Sequence, residues 1–143
     1  MNGIKKYKLI GIDSNLFIYH FEENPQFVSA TQLVFNHLSD GNLKAATSII
    51  SVIEILSYPL PPKILKQIEE SFQLVPNLTV YDVDGAIAKE AAKIRRKHGF
   101  RLPDAIQLAT AKKAKADIFI TNDRSLRQFK SLKVILITEL DFL

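Results

Sequence analysis

The chain has no cysteine. Disulfides, thiolate metal centres and cysteine nucleophiles are thereby excluded, and the composition fits a reducing compartment. No apolar run approaches the roughly 18 residues that a membrane span needs. The start, Lys5-Lys6-Tyr7-Lys8, runs into a short strand without the oily core of a secretory signal. A cytoplasmic protein with no membrane partner is the expectation. Neither Gly-x-Gly-x-x-Gly nor a P-loop pattern occurs, which sets nucleotide-dependent enzymes aside. Histidine is scarce: His20, His37 and His98 stand at no metal-ligand spacing and read as surface or packing residues. Repeats, low-complexity stretches and linkers are missing as well, so the 143 residues are expected to form a single domain, 1–143.

What the chain does have is acid in unexpected places. Asp13 closes the apolar run Leu9-Ile10-Gly11-Ile12, and Asp123 closes Ile118-Phe119-Ile120-Thr121-Asn122. Glu54 interrupts Ile49-Ile50-Ser51-Val52-Ile53, and Asp104 opens the alanine-rich segment Ala105-Ile106-Gln107-Leu108-Ala109. An ionised carboxylate near a core costs several kcal/mol unless it is paired or bound to a metal. No cationic partner is evident on the buried face of any of the four. Taken singly, Asp13 and Asp123 read as helix caps and Asp104 as a complement to a helix dipole. Taken together, the four point to one shared cation site.

Around them the charge is basic. The net charge is +4, and it rises to about +8 without the four acids. Nine lysines and arginines lie between Lys89 and Lys115, opposed only by Glu90 and Asp104. Such a run is either a solvated helical face or a polyanion-binding surface. Beside an acidic centre, the second reading gains weight.

Strand and helix periods alternate along the chain. Strands are predicted at 8–12, 43–46, 78–83, 117–121 and 133–137. Helices are predicted after Asp13-Ser14-Asn15, from Asn24-Pro25 to Gly41, through Glu54, at 63–72, from Asp84 to Gly99, and from Pro103 to Ala116, with a helical turn at 125–129. Three prolines in 59–62 must break the chain there, as a hinge or as a rigid connector. The alternation predicts a three-layer α/β/α sandwich with a mainly parallel central sheet. Ligands of such sheets bind beyond the carboxyl ends of the strands, where Asp13 and Asp123 lie.

Mg2+ and Mn2+ take oxygen ligands and keep several waters. Clustered carboxylates raise one another's pKa until such an ion neutralises them. Paired ions then activate water and stabilise the leaving oxygen in phosphodiester hydrolysis. At these residues the chain resembles the PIN-domain ribonucleases, most closely the small VapC-type toxins. The resemblance covers nearly the whole length. It rests on Ile10-Gly11-Ile12-Asp13-Ser14-Asn15, on the stretch from Ser48 to Glu54, on Leu102-Pro103-Asp104-Ala105-Ile106-Gln107-Leu108-Ala109-Thr110-Ala111, and on Ile120-Thr121-Asn122-Asp123. It implies that Asp13, Glu54, Asp104 and Asp123 are the catalytic, metal-binding quartet, with Asn15 and Thr121 as supporting polar groups. Arg124 and Ser125 stand where some relatives carry a further acid.

The resemblance also implies Mg2+ or Mn2+ dependence, endonucleolytic RNA cleavage leaving a 5′-phosphate, a homodimer, and a small antitoxin that inserts a residue into the acidic pocket. Arg95, Arg96, Lys97 and Arg101 are the candidate RNA contacts, ahead of Lys112 and Lys113 farther along their helix. No aromatic signature marks the pocket. Two other classes compete with this reading. One is an RNA-binding module that has kept the fold and lost turnover, against which the intact quartet argues. The other is a phosphohydrolase of small esters; its haloacid-dehalogenase form would need aspartate where Asn15 stands.

Overall fold

The computed structural model describes residues 3–142. Five strands, β1 (Leu9–Ile12), β2 (Lys44–Ser48), β3 (Leu78–Tyr81), β4 (Ile118–Thr121) and β5 (Lys133–Leu136), form one sheet in the order β3-β2-β1-β4-β5. Every pairing is parallel. β4 is buried along its whole length, and β1 from Ile10 to Ile12. That is why both read as unbroken apolar runs.

Six helices cover the two faces. α1 (Ser14–Phe21), α2 (Val28–Ser39), α3 (Ile50–Leu56) and α4 (Pro62–Gln73) lie on one side, α5 (Gly85–His98) and α6 (Leu102–Lys113) on the other. Ile10, Ile12, Ile118 and Ile120 face the first layer, with Leu16, Phe17 and Phe72. Phe119 faces the second, with Ile87, Ile94 and Leu108. Phe17 ties three helices together by edge-on contacts with Phe35 and Phe72, at 5.7 and 5.0 Å between ring centroids. Such pairs add about 0.5–1.5 kcal/mol beyond area burial.

Gly11 sets how closely α6 approaches the sheet. A Cβ there would stand 2.7 Å from the Ala111 Cβ and 2.9 Å from the Phe119 ring, so only hydrogen fits. α6 is nearly encircled by protein, with Asp104, Ala105, Gln107, Leu108, Ala109, Thr110 and Ala111 all buried.

Several boundaries differ from expectation. Asn24-Pro25 makes a turn rather than the first turn of α2. The Asn24 Oδ1 accepts from Gln26 N (2.9 Å), its carbonyl accepts from Phe27 N and Val28 N, and the helix begins only at Val28. Asn side chains that bond the backbone two residues on favour this turn over a cap. β2 runs on to Ser48, whereas β3 stops at Tyr81, short of Val83. The predicted ends of α5 hold: Asp84 caps it through Ile87 N (2.8 Å), and Gly99 closes it at φ 71°. Three-ten turns at Gly3–Lys6, Arg124–Gln128 and Ile137–Phe142 complete the described chain. No helix among the described residues is long and apolar enough to cross a membrane.

Candidate active site

The strand order reverses between β1 and β4, and a doubly wound sheet opens a crevice at that point. Asp13 is the first residue beyond β1. Its N–H still pairs with Ile120 O (3.0 Å), and its side chain caps α1 by accepting from Ser14 N (2.8 Å). Its other oxygen accepts from the Thr121 hydroxyl at 2.7 Å. That hydroxyl in turn accepts from Asp123 N (3.1 Å), so one threonine links the ends of both strands. Asp123 caps the following turn through Ser125 N and Oγ, both on Oδ1.

Glu54 reaches the same place from α3, its Oε1 accepting from the Ser14 hydroxyl at 2.9 Å. Asp104 lies in the first turn of α6, only 6 % exposed. Contrary to the sequence expectation, it has a cationic partner: Arg101 Nε donates to its Oδ2 at 3.1 Å. Arg101 precedes the helix by one residue, and its side chain folds back over the first turn.

Asp13 is 5 % exposed, and burial raises its pKa from 3.8 to about 6. The bonds from Thr121 and Ser14 oppose that rise, while the charges of Asp104 and Glu54 add to it. These three acids therefore share one electrostatic site. Asp123 belongs to the same field, since it, Asp104 and Glu54 all favour the charged form of Arg101. Among the described residues, no three acidic or histidine side chains form a ready-made metal cage.

Beneath the acids lies a polar network that sequence reading did not assign. The Gln107 carbonyl accepts from Ser48 N (3.1 Å), and its amide donates to Ser51 Oγ (2.8 Å). Ser51 Oγ lies 2.7 Å from Thr47 Oγ1, which donates to Ile12 O (2.8 Å). One amide thus locks β2, α3 and α6 to the last carbonyl of β1, directly before Asp13. The available signal was a polar side chain amid Ala105, Leu108, Ala109 and Ala111. Asn15 lies in the first turn of α1, and its buried Oδ1 has no hydrogen-bond partner among the described residues.

The basic candidates divide. Arg101 is at the acids. Arg95 spends its Nε on Phe100 O (3.2 Å), pinning the connection between α5 and α6. Arg96 and Lys97 are exposed on the last turn of α5. Two tyrosines, not anticipated, border the centre. Tyr19 OH accepts from Asn122 Nδ2 (3.1 Å), next to Asp123. The pKa of Tyr58 is raised by desolvation, then by Glu22, Tyr19 and Glu54. The quartet does not line the concavity of about 740 Å3 between α1, α2 and α4.

The chain matches no curated protein by sequence. Solved structures share its fold. VapBC2 of Rickettsia felis, bound to a promoter DNA fragment, superposes with a TM-score of 0.70 at 14% identity, over 90% of this chain and 98% of that one. A toxin–antitoxin complex of Klebsiella pneumoniae gives 0.68 at 21%, over 91% and 97%. FitAcB of Neisseria gonorrhoeae gives 0.66 at 20%, over 92% and 99%. The family model for the PIN domain matches residues 10–132, a span that holds all four acids. The chain therefore belongs to the PIN-domain family.

Proposed function

We propose that the protein is a Mg2+- or Mn2+-dependent endoribonuclease, the VapC-type toxin of a toxin–antitoxin pair acting in the cytoplasm. The observation that carries this reading is the burial of Asp13 at the sheet's switch point, in the field of two further carboxylates. A fold keeps so costly a group where its chemistry is used.

The donors fit a hard divalent ion. All are oxygens, Asp123 Oδ2 makes no hydrogen bond among the described residues, and the unpartnered Asn15 Oδ1 adds a neutral acceptor. Asp13, Asp104 and Asp123 would hold such an ion, which needs only one or two carboxylates at a time besides water and substrate phosphate. When bound, it supplies a Lewis acid and a more acidic water. Glu54, which accepts from the Ser14 hydroxyl, would orient that water. Thr121 holds Asp13 and Asp123 in register. The exposed Arg96 and Lys97 would draw in the RNA backbone.

Partner binding is supported from two sides. The structural relatives include toxin–antitoxin complexes, and the groove between α2 and α4, about 740 Å3, mixes apolar side chains such as Val28, Ile64 and Ile68 with Glu22, Gln32 and Gln67, a lining that suits an amphipathic helix. Ile53 and Leu102, 63% and 53% exposed next to Glu54 and Asp104, are apolar surface that a homodimer would bury.

Cleavage of a mixed RNA pool with Mg2+, Mn2+ or EDTA, beside Asp13→Asn and Asp104→Asn, tests the proposal. Metal-dependent cutting that both variants lose is the expected result. Cutting that survives both substitutions would refute the catalytic assignment. The second reading is an RNA-binding module without turnover. It predicts RNA retention in EDTA and no cleavage on adding Mn2+.

A further inference from the structure

Arginine is out of place at the start of a helix. The N-terminal end carries partial positive charge, and a cation there loses about 0.3–1 kcal/mol where an anion would gain it. Arg101 nevertheless occupies the N-cap position of α6, and its side chain caps no backbone group. Instead it turns to Asp104, forming the only ion pair to the acidic quartet among the described residues. The two partners are unequally placed: the Asp104 side chain is 9% exposed and that of Arg101 is 75%. Only Nε is engaged among the described residues, which leaves both terminal nitrogens of the fork open to water.

We propose that Arg101 is an internal counter-ion that holds Asp104 while no divalent ion is bound and turns to the RNA phosphate once one is. The inference rests on the metal-nuclease reading and assigns one residue a role within it. Three features lead there. The guanidinium holds Oδ2 of Asp104, a carboxylate assigned to the incoming ion, so two cations would share one carboxylate. It lies in the field of Asp104, Asp123 and Glu54 together, at the centre where the substrate phosphate must arrive. It is tethered to a fixed point, because Pro103 follows within the first turn and Arg95 holds the carbonyl of Phe100 just before it. A guanidinium displaced from a carboxylate retains a fork that matches phosphate oxygens in pairs.

Two equilibria should then move in opposite directions when the charge is removed. Arg101→Gln should bind Mn2+ about three- to fivefold more tightly, the worth of one exposed ion pair. Its affinity for a short fluorescent single-stranded RNA, measured by anisotropy with Ca2+, should fall about tenfold or more, as expected for a lost charged hydrogen bond. Free Mn2+ is read by electron paramagnetic resonance, so neither measurement depends on turnover. Lys66→Gln on α4 removes the same charge elsewhere and should leave Mn2+ affinity as in the wild type. Arg101→Lys should return both affinities towards wild type. The inference is overturned if Arg101→Gln binds Mn2+ no better than wild type, if Lys66→Gln gains as much, if RNA affinity is unmoved, or if lysine restores neither. Failure of the underlying reading looks different: wild type would not bind Mn2+, or Asp13→Asn would bind it equally well.

Discussion

Replacing Asp13 with asparagine should stabilise the metal-free chain at neutral pH, although it removes an acid central to the site. The folded-state pKa is about 6 and the ordinary value is 3.8. Between those two pH values the folded chain retains a proton that the unfolded chain has released. Raising the pH through this window therefore lowers stability, and the full penalty stands above pH 6. A gap of about two units corresponds to roughly 3 kcal/mol. Asparagine keeps the acceptor for Ser14 N but offers Thr121 a donor where it met an acceptor, returning about 1 kcal/mol. The net gain should be about 1–2 kcal/mol at pH 7.5 and should vanish near pH 4. Urea denaturation of both proteins at several pH values in EDTA measures it. A variant less stable than wild type at pH 7.5, by a margin independent of pH, would refute the reasoning. Saturating Mg2+ should reverse the order, since an ion present at a hundred times its Kd stabilises the protein that binds it by about 2.7 kcal/mol.

Other consequences follow from the same geometry. Gln107→Leu strands the buried Ser48 N–H and frees Ser51, so urea denaturation should show a loss of about 2–4 kcal/mol; a change under 0.5 kcal/mol would mean the network is incidental. Gly11→Ala would ordinarily favour a strand, but here it drives a methyl into Ala111 and Phe119 and should cost about 1–3 kcal/mol; a more stable variant would show that α6 is free to move. On the proposed metal-nuclease reading a divalent ion displaces the proton on Asp13, so Mn2+ affinity should fall by up to about tenfold per pH unit below pH 6. Calorimetric titration between pH 5 and 7.5 checks this, and a flat profile would exclude Asp13 as a ligand.

The acids were legible because each breaks a local rule. A carboxylate at the end of an oily strand has few structural uses, and β1 and β4 announced themselves through apolar runs buried on both sides. The partners of those acids were harder to read. Arg101 stands two residues before a proline and looks like part of an exposed loop; only folding brings its side chain back over Asp104. Gln107 passes for an ordinary helix former until the helix around it proves buried on nearly every side. Ser14, Thr47, Ser48 and Ser51 are small hydroxyl residues whose meaning comes from neighbours up to 60 positions away. Asn24 misled because the same side chain serves a helix cap and a turn, and local spacing does not separate the two. Asn15 and Thr121 show both cases: Thr121 bonds two of the acids, while Asn15 holds a buried oxygen that no described neighbour meets.

The clamp built on Gln107 has a consequence for how the site responds to acid. Its members are an amide, two hydroxyl groups and two backbone groups, none of which titrates in the working range. Acidification discharges the carboxylates but leaves the frame that spaces them unchanged. Charge and shape are thus held by separate sets of atoms a few ångströms apart. On the proposed reading, a chain taken to pH 5 should regain metal binding as fast as protons leave, with no refolding delay, because only the occupants of the frame have changed.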